Sequence, residues 1–239
     1  DGPAVVPPPP SEDLRATRFF PAARLNYAEN LLAGGDLPGA QDTALVFRRE
    51  DGQRRVWSWQ ELRMAVGSAR AALRQAGVGQ GDRVAAWMPN SPETVIVMLA
   101  TSSLGAVFTS TSPDFGPAGV LDRFGQVAPV VLVAADGYVY ANKRHDRLPA
   151  LAEIVAGLPS LKQVWLVGEL DPHAELTARV PVRSFTDVLD TEPELGFEPM
   201  PFDAPGFILY SSGTTGVPKC LVHRGAGFLL KHASEQRWH

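Results

Sequence analysis

The fold is decided by VAAWMPNSPETVIVMLATSSLGAVFT, which is residues 84–109. Its first five residues form a short apolar run bounded by turn residues, which is typical of a buried strand. Ser91 and Pro92 then supply an N-cap and a first-turn proline, so a helix is predicted from there to about Leu104. Gly105 ends this helix, because glycine adopts a helix-closing backbone conformation at little cost. Residues 106–109 are again strand-like, so the stretch predicts a strand, a helix and a second strand.

The same alternation continues on both sides of this unit. Upstream, Ser58 and Glu61 have the spacing of a capping box and open a predicted helix that ends at Gly77. Downstream, the pattern predicts helices at 121–127 and 148–156 and strands at 130–133 and 164–167. Apolar strands that alternate with helices form parallel sheets covered by helices. The predicted fold class is therefore α/β, with parallel-sheet layers and flanking helices.

Three regions depart from this regular pattern. The first residues include four consecutive prolines, Pro7–Pro10, which predict an extended and flexible arm. Residues 169–205 are rich in proline and acids, so we expect a long connection with one short helix near 186–189. Glu169 and Asp171 are expected to be solvated loop residues or caps. Residues 227–237 are predicted to form a final helix, after which no sign of a finished domain is visible.

The composition argues against several classes of function. With 45% hydrophobic and 20% charged residues, the 239-residue chain has the profile of a globular protein, so predominant disorder is not expected. A net charge of −4 gives no general basic field, so no nucleic-acid partner is expected. The most apolar run, 95–108, is too short and too polar to cross a bilayer, and no membrane partner is expected. The single cysteine, Cys220, rules out an internal disulfide and favours a cytoplasmic location. The histidines lack metal-ligand spacing, so no metal site is predicted.

One loop rich in small residues is predicted to carry the chemistry. It follows an apolar strand, 207–210, and consists of Ser211, Ser212, Gly213, Thr214, Thr215, Gly216, Val217, Pro218 and Lys219. Phosphate groups need several donors that converge from one side, and glycines let backbone N–H groups approach closely. The hydroxyls add further donors, and Lys219 adds a cation that can balance the charge of a β- or γ-phosphate. The apolar run after Lys219 indicates that the loop joins two strands.

Two other interpretations of this loop must be weighed. A surface turn rich in small residues, with a solvated lysine, would have a similar composition. A Walker A loop requires a glycine, four residues and then Gly-Lys-Ser/Thr at the start of a helix. Here two residues separate Gly213 from Gly216, and Pro218 disfavours a helix at this point. The density of hydroxyls next to a lysine and between apolar strands favours phosphate binding of another type.

The run YSSGTTGVPK, residues 210–219, resembles the signature loop of the adenylate-forming superfamily, which includes acyl-CoA synthetases, luciferases and peptide-synthetase adenylation domains. Two further stretches, FFPAARLNYAENLL (19–32) and SPDFG followed by VLDRF (112–116 and 120–124), resemble the acetyl-CoA synthetase branch. These stretches, together with PKCLVH (218–223), are most similar in sequence to acetoacetyl-CoA synthetases. Many superfamily members have glycine where Cys220 stands, and this departure favours the same subgroup.

The resemblance implies a two-step reaction. A carboxylate, here acetoacetate, attacks the α-phosphate of MgATP to give an acyl-adenylate and pyrophosphate, and coenzyme A then takes the acyl group. The loop would hold the β- and γ-phosphates, with its serines and threonines as donors and Lys219 as the charge partner. The resemblance also places His223 near the nucleotide or acyl site, although a histidine at the end of a buried strand explains it equally well. Lys143 and Arg144 would lie near coenzyme A, although a solvated basic turn explains them more simply.

The resemblance also divides the chain. Residues 1–18 would be the flexible arm, 19–45 an amino-terminal segment of the acetyl-CoA synthetase type, and 46–239 a partial AMP-binding domain that is truncated at its carboxyl end. The later family elements for Mg²⁺, ribose and adenine, and the lid with its catalytic lysine, are not in these residues. We therefore expect no complete catalytic set here, and no activity from these residues alone. An acetyl- or propionyl-CoA synthetase and a non-catalytic nucleotide-binding fragment remain alternatives. The oligomeric state is not predicted.

Overall fold

The computed structural model describes residues 2–13, 16–34, 38–212 and 216–238. The strands are β1 (Val5–Val6), β2 (Arg18–Phe19), β3 (Arg24–Leu25), β4 (Thr43–Arg48), β5 (Arg54–Ser58), β6 (Arg83–Trp87), β7 (Val107–Thr111), β8 (Val131–Ala135), β9 (Gly137–Tyr140), β10 (Lys143–Asp146), β11 (Gln163–Val167), β12 (Val182–Ser184), β13 (Met200–Pro201), β14 (Pro205–Ser211) and β15 (Lys219–Arg224). The helices are α1 (Tyr27–Leu32), α2 (Trp59–Gln75), α3 (Pro92–Ser103), α4 (Pro117–Val127), α5 (Leu148–Gly157), α6 (Phe185–Leu189) and α7 (Gly225–Trp238).

A seven-stranded sheet forms the centre of the protein, in the order β12-β11-β8-β6-β7-β14-β15. The first six strands are parallel, and β15 is antiparallel to β14 at the edge. This confirms the predicted α/β class. The antiparallel edge arises because only a short loop joins β14 to β15, and a parallel pairing would need a much longer crossover.

Helices cover both faces of this sheet. Alternate residues of the central strand β6 enter different cores: Val84 and Ala86 pack with the residues of α2 and α3, whereas Ala85 and Trp87 pack with those of α4 and α5. All four side chains are fully buried. This two-sided burial is why the strands are apolar throughout rather than at every second position.

Several predicted local features are confirmed. Ser58 Oγ accepts from the Glu61 backbone N–H at 3.2 Å, and Glu61 Oε2 accepts from the Ser58 N–H at 2.7 Å, which completes the capping box. The hydrogen bonds from Ser58 lower the pKa of Glu61. Gly105 follows α3 with a φ of +66°, where any other residue would be strained.

Other details differ from the prediction. Ser91 stands at the N-cap position of α3, but its hydroxyl makes no capping bond and has no partner among the described residues. Helix α4 begins four residues earlier than predicted, because Pro117 is a favourable first helical residue. The hairpins β4–β5 and β9–β10 and the short helix α1 were not predicted. Part of the proposed arm pairs with the next segment as β1–β2, and its flexibility stays a prediction.

The prediction that Glu169 is solvated was wrong. Its side chain is 5% exposed and accepts from Arg49 and from Arg55, each at 3.2 Å. Arg55 also pairs with the buried Glu93 at the start of α3. Burial, and then the charge of Glu93, raise the pKa of Glu169. Both arginines lie on the β4–β5 hairpin, more than a hundred residues earlier in the chain, so no local pattern around Glu169 could show these partners.

Asn26 joins the amino-terminal segment to the central domain. Its side-chain oxygen accepts from the N–H groups of Ala28 and Glu29 and so caps α1. Its Nδ2 group lies 2.9–3.3 Å from three carbonyl oxygens, those of Ser102, Ser103 and Glu198. The residue is 3% exposed, so its amide bonds within the protein rather than to water. The Ser102 and Ser103 carbonyls also accept from backbone N–H groups, so Asn26 supplies a second donor to each.

We predict that Asn26→Ala lowers the free energy of unfolding by about 3 kcal/mol, because a helix cap is lost together with the hydrogen bonds from its amide to three carbonyl groups. Asn30→Ala, in the exposed part of the same helix, is the matched control and is expected to cost little. The measurement is a urea unfolding midpoint with the slope checked for each variant. Equal midpoints for the two variants would contradict the anchoring role.

Candidate functional site

The parallel strands all end at one edge of the sheet, and the candidate site lies there. In open α/β sheets this carboxyl edge is where ligands bind, in the crevice beyond the strand ends. The loops that follow β6, β7 and β14 reach it. A cleft of about 250 Å³ opens at the ends of β6 and β7, lined by Met88, Pro89, Asn90, Thr94, Ser110, Thr111 and Ser112. Three of its four hydroxyls, those of Ser110, Thr111 and Ser112, come from the end of β7 and the residue after it, and they were not predicted as site residues.

The predicted phosphate loop connects β14 to β15 at this edge. Ser211 ends β14 and pairs in register with Lys219, the first residue of β15. Ser211 is half-buried, whereas Ser212 and Gly216 are exposed. Gly216 has a φ of +109°, a conformation that favours glycine. Gly213, Thr214 and Thr215 of the same prediction lie outside the described residues. The predicted position of the loop between two strands is confirmed.

Lys219 is an exposed cation at the mouth of this loop. It forms no ion pair with any acid in the described part of the chain. Because side chains alternate along a strand, Lys219 shares a sheet face with its register partner Ser211. The next residue, Cys220, shares the opposite face with Tyr210. A lysine that is accessible and unpaired in this way is available to an anion.

Tyr210 lies on the same sheet face as Cys220, directly before the loop. The Thr109 hydroxyl lies 2.8 Å from the Tyr210 hydroxyl and donates to the Ile208 carbonyl, also at 2.8 Å. The Tyr210 ring packs at 6.2 Å from the Phe124 ring of α4. Burial raises the pKa of Tyr210 to about 12, so the phenol is neutral at physiological pH.

Arg123 and Phe115 continue the packing around Tyr210 toward the loop after β7. The Arg123 guanidinium lies 4.1 Å from the Phe115 ring centre and 5.9 Å from that of Tyr210, and it donates to the Gly119 carbonyl. Arg123 is not among the site residues predicted from the sequence. The stacking joins helix α4 to the loop after β7 and to the end of β14.

Cys220 is half-buried, and burial raises the pKa of its thiol. The thiol is therefore protonated at neutral pH and is a poor nucleophile. Its Sγ lies 3.5 Å from Oε1 of Gln126 on α4, and Nε2 of the same side chain donates to the Pro218 carbonyl at 2.9 Å. Gln126 carried no signal in the sequence.

His223 lies at a distance from the loop. It is the fifth residue of β15, four positions from Lys219, which is roughly 13 Å along an extended strand. Its ring meets the Phe228 ring of α7 edge-on at 4.9 Å, and its register partner is Phe207 near the start of β14. The structure therefore does not bring His223 together with Lys219.

Lys143 and Arg144 lie on the β9–β10 hairpin, which follows β8 at the same edge of the sheet. Both are exposed, and Arg144 donates to the Leu170 carbonyl at 2.6 Å. Tyr138 of β9 lies close enough to Asp114, in the loop after β7, that hydrogen bonding from Tyr138 and then from Ser112 lowers the pKa of Asp114. The strand β8 that precedes this hairpin is three places from β14 in the sheet order, so the two cations lie apart from Lys219.

Metal-ligand clusters and membrane-spanning helices are both absent from the described residues. No group of three or more His, Cys, Asp or Glu side chains converges there as a set of metal ligands. No helix in that part of the chain is both long and apolar enough to cross a membrane.

Comparison with known proteins identifies the family. A family model described as AMP-binding enzyme matches residues 38–237. The chain belongs to the AMP-binding enzyme family. This match includes the loop at the end of β14 and nearly the whole central sheet.

Individual members of the AMP-binding family are similar over nearly the whole chain. The chain is 48% identical to an acetoacetyl-coenzyme A synthetase of Rhizobium meliloti (strain 1021) over 93% of its length, and 40% identical to an acetoacetyl-CoA synthetase of Xenopus tropicalis over 92%. It is also 37% identical to a malonamoyl-CoA synthetase of Penicillium aethiopicum over 91% of its length. A solved structure of acetoacetyl-CoA synthetase from Streptomyces lividans matches 96% of the chain with a TM-score of 0.87 at 39% identity.

These relatives are much longer than the chain. It covers 34% of the Rhizobium and Xenopus proteins, 34% of the Streptomyces structure and 31% of the Penicillium protein. The shared part therefore contains the parallel sheet and the loop after β14, and about two thirds of each relative has no counterpart in these residues.

We predict that the stability contributed by neutral Tyr210 is fully present below its ordinary pKa of 10.0 and is lost as the pH rises through about 12. The reason is that the unfolded chain ionises this phenol more easily than the folded chain does. Tyr210→Phe should therefore unfold at a midpoint that falls less steeply between pH 10 and 12 than that of the parent. Tyr140→Phe, at an exposed tyrosine, is the control and should follow the parent. Parallel profiles for all three proteins would show that Tyr210 is not buried as described.

Proposed function

We propose that the protein supplies the phosphate-binding part of an acyl-CoA synthetase that activates acetoacetate. The observation that carries this proposal is the position of the hydroxyl-rich loop. It follows a parallel strand at the carboxyl edge of the sheet, and it is followed by an exposed lysine with no acidic partner among the described residues. Membership of the AMP-binding family supports the same conclusion.

In the first step a carboxylate oxygen of the acid attacks the α-phosphorus of MgATP, which is a substrate of the reaction. The bond between the α-phosphorus and the bridging oxygen breaks, and pyrophosphate leaves with that electron pair. Negative charge grows on the β-phosphate as the bond breaks, so a cation and N–H donors next to it lower the barrier. Lys219 would supply the cation, and the loop residues 211–216 would supply the donors.

In the second step the thiol of coenzyme A attacks the acyl carbon, loses its proton and displaces AMP. Lys143 and Arg144 are the exposed cations at the same edge of the sheet that could meet the phosphates of coenzyme A. No side chain among the described residues is assigned as the base that takes the thiol proton in this step. His223 is left without a role, because it lies far along β15 from Lys219.

Acetoacetate is proposed as the acid because of the names of the relatives. Acetoacetyl and malonamoyl groups both carry a second carbonyl at C3, and acetyl and propionyl groups do not. A relative named for the acetoacetyl group and one named for the malonamoyl group each align over more than nine tenths of the chain. A cytoplasmic location is part of the same proposal, because a lone thiol fits a reducing compartment. The alternatives are an acetyl- or propionyl-CoA synthetase and a nucleotide-binding piece without catalysis.

We predict that Lys219→Ala slows acid-dependent release of pyrophosphate by about 100-fold in the full-length protein, because a charge partner of the leaving group is lost. Lys231→Ala is the matched control, since this lysine lies on α7 and pairs with Glu235. Unfolding midpoints measured beside the rates separate catalysis from stability. A Lys219→Ala rate equal to that of the control would remove Lys219 from the site.

A second prediction concerns the acid. In the full-length protein kcat/KM for pyrophosphate release is expected to be at least about tenfold higher with acetoacetate than with acetate, because a pocket that binds the C3 carbonyl leaves polar groups unpaired with the smaller acid. Propionate serves as the control for size without a second carbonyl. Equal or reversed preference would favour the acetyl- or propionyl-CoA synthetase alternative.

A further inference from the structure

We propose that Gln126 is a positioning residue that orients Lys219 toward the nucleotide phosphates. This inference rests on the proposed function, because it assigns Lys219 to the phosphates of ATP. Gln126 is far from Lys219 in sequence and lies on the last turn of α4. It is joined to the loop by side-chain hydrogen bonds and not by the backbone ladder of the sheet.

The amide of Gln126 uses all three of its hydrogen-bonding groups. One Nε2 hydrogen bonds to the Asp122 carbonyl one helical turn earlier, at 2.5 Å, which fixes the side chain against its own helix. The other Nε2 hydrogen bonds to the Pro218 carbonyl at 2.9 Å. The Oε1 atom faces the Cys220 thiol at 3.5 Å. An amide offers two donors and an acceptor, so this arrangement fixes its orientation.

These contacts enclose Lys219 on both sides along the chain. Pro218 precedes Lys219 and Cys220 follows it, and Gln126 bonds to both. Holding the Cys220 side chain against α4 requires Lys219 to lie on the other sheet face, because neighbouring residues of a strand point in opposite directions. That face is the one that carries Ser211, the register partner of Lys219 at the start of the loop.

The backbone ladder alone does not secure this orientation. Lys219 is the first residue of an edge strand, and β15 has a neighbour on one side only. Pro218 has no N–H to donate, so a backbone donor is missing just where the loop enters the strand. Gln126 instead bonds to the carbonyl of Pro218. The amide thus limits rotation of the chain at the residue where Lys219 begins.

The properties of Cys220 and Gln126 fit this role. Burial raises the pKa of the Cys220 thiol, so it stays protonated and can donate to Oε1. Gln126 itself is exposed and packs into neither core cluster. Truncation of this side chain is therefore expected to leave the fold intact, so its effect on nucleotide binding can be measured separately from stability.

The test compares Gln126→Ala, Gln126→Glu and Lys219→Ala in the full-length protein, with Gln41→Ala as the control. Gln41 donates through its amide to another exposed side chain, that of Gln60, far from the loop. Both Gln126 variants are expected to raise the dissociation constant for MgATP and the KM for ATP by about tenfold, and to leave the KM for the acid unchanged. The glutamate variant keeps the shape but loses the donors to the two carbonyls, so it should be no better than alanine.

The double variant shows whether Gln126 acts through Lys219. If it does, adding Gln126→Ala to Lys219→Ala causes no further loss of MgATP affinity, because the group it positions is already absent. The same tenfold loss in both backgrounds would overturn the proposal, as would a Gln126→Ala protein that binds MgATP like the control. Cys220→Ser, which keeps a donor for Oε1, should bind MgATP more tightly than Cys220→Ala.

Failure of the activation chemistry would be visible separately. If the parent releases no pyrophosphate with any acid, the proposed activity is wrong. The MgATP dissociation constants of the same variants then still decide the positioning role. A parent that binds no MgATP would overturn both proposals.

Discussion

The parallel pairing of β14 with β7 determines where the candidate site lies. Nearly a hundred residues separate the paired positions, and the register is Phe207 with Phe108 and Ile208 with Thr109. The Thr109 hydroxyl reinforces the pairing by donating to the Ile208 carbonyl from within the buried sheet. Because the two strands run in the same direction, the loop after β14 emerges at the edge where β6, β7 and β8 also end. A reversed strand would have placed the same loop at the opposite edge, away from the cleft.

Helix α4 serves both the core and the site. Its apolar side buries Val120, Phe124 and Val127, which fixes the helix against the sheet. Arg123 and Gln126 lie beside that apolar side and contact the loops instead. Arg123 stacks on Phe115, and Gln126 bonds to Pro218 and Cys220 on either side of Lys219. Rigid packing of one face therefore gives precise positions to polar side chains on the flank of the same helix, as sites built on helices require.

The alternation of strands and helices from α2 to β11 and the site loop could largely be predicted, because both depend on local patterns. Apolar runs, the capping box at Ser58 and the helix end at Gly105 are short-range signals, and the structure follows them. The loop after Tyr210 was placed correctly between two strands for the same reason. Glu169 was predicted wrongly because its partners, Arg49 and Arg55, come from a hairpin that is distant in sequence. Gln126 and Thr109 were not singled out, since a lone glutamine or threonine has no periodic signature.

The sequence by itself determined the α/β class, the strand–loop–strand unit around Lys219 and the resemblance to adenylate-forming enzymes. Hydrophobic periodicity and turn chemistry act over a few residues, so they can be seen without coordinates. The tertiary structure alone decided that β14 inserts beside β7, that Lys143 and Arg144 lie apart from Lys219, and that Gln126 meets both neighbours of Lys219. These facts depend on which distant strands pair and which helix covers them. Such choices are made by burial and hydrogen bonding across the whole chain, and no short stretch of sequence encodes them.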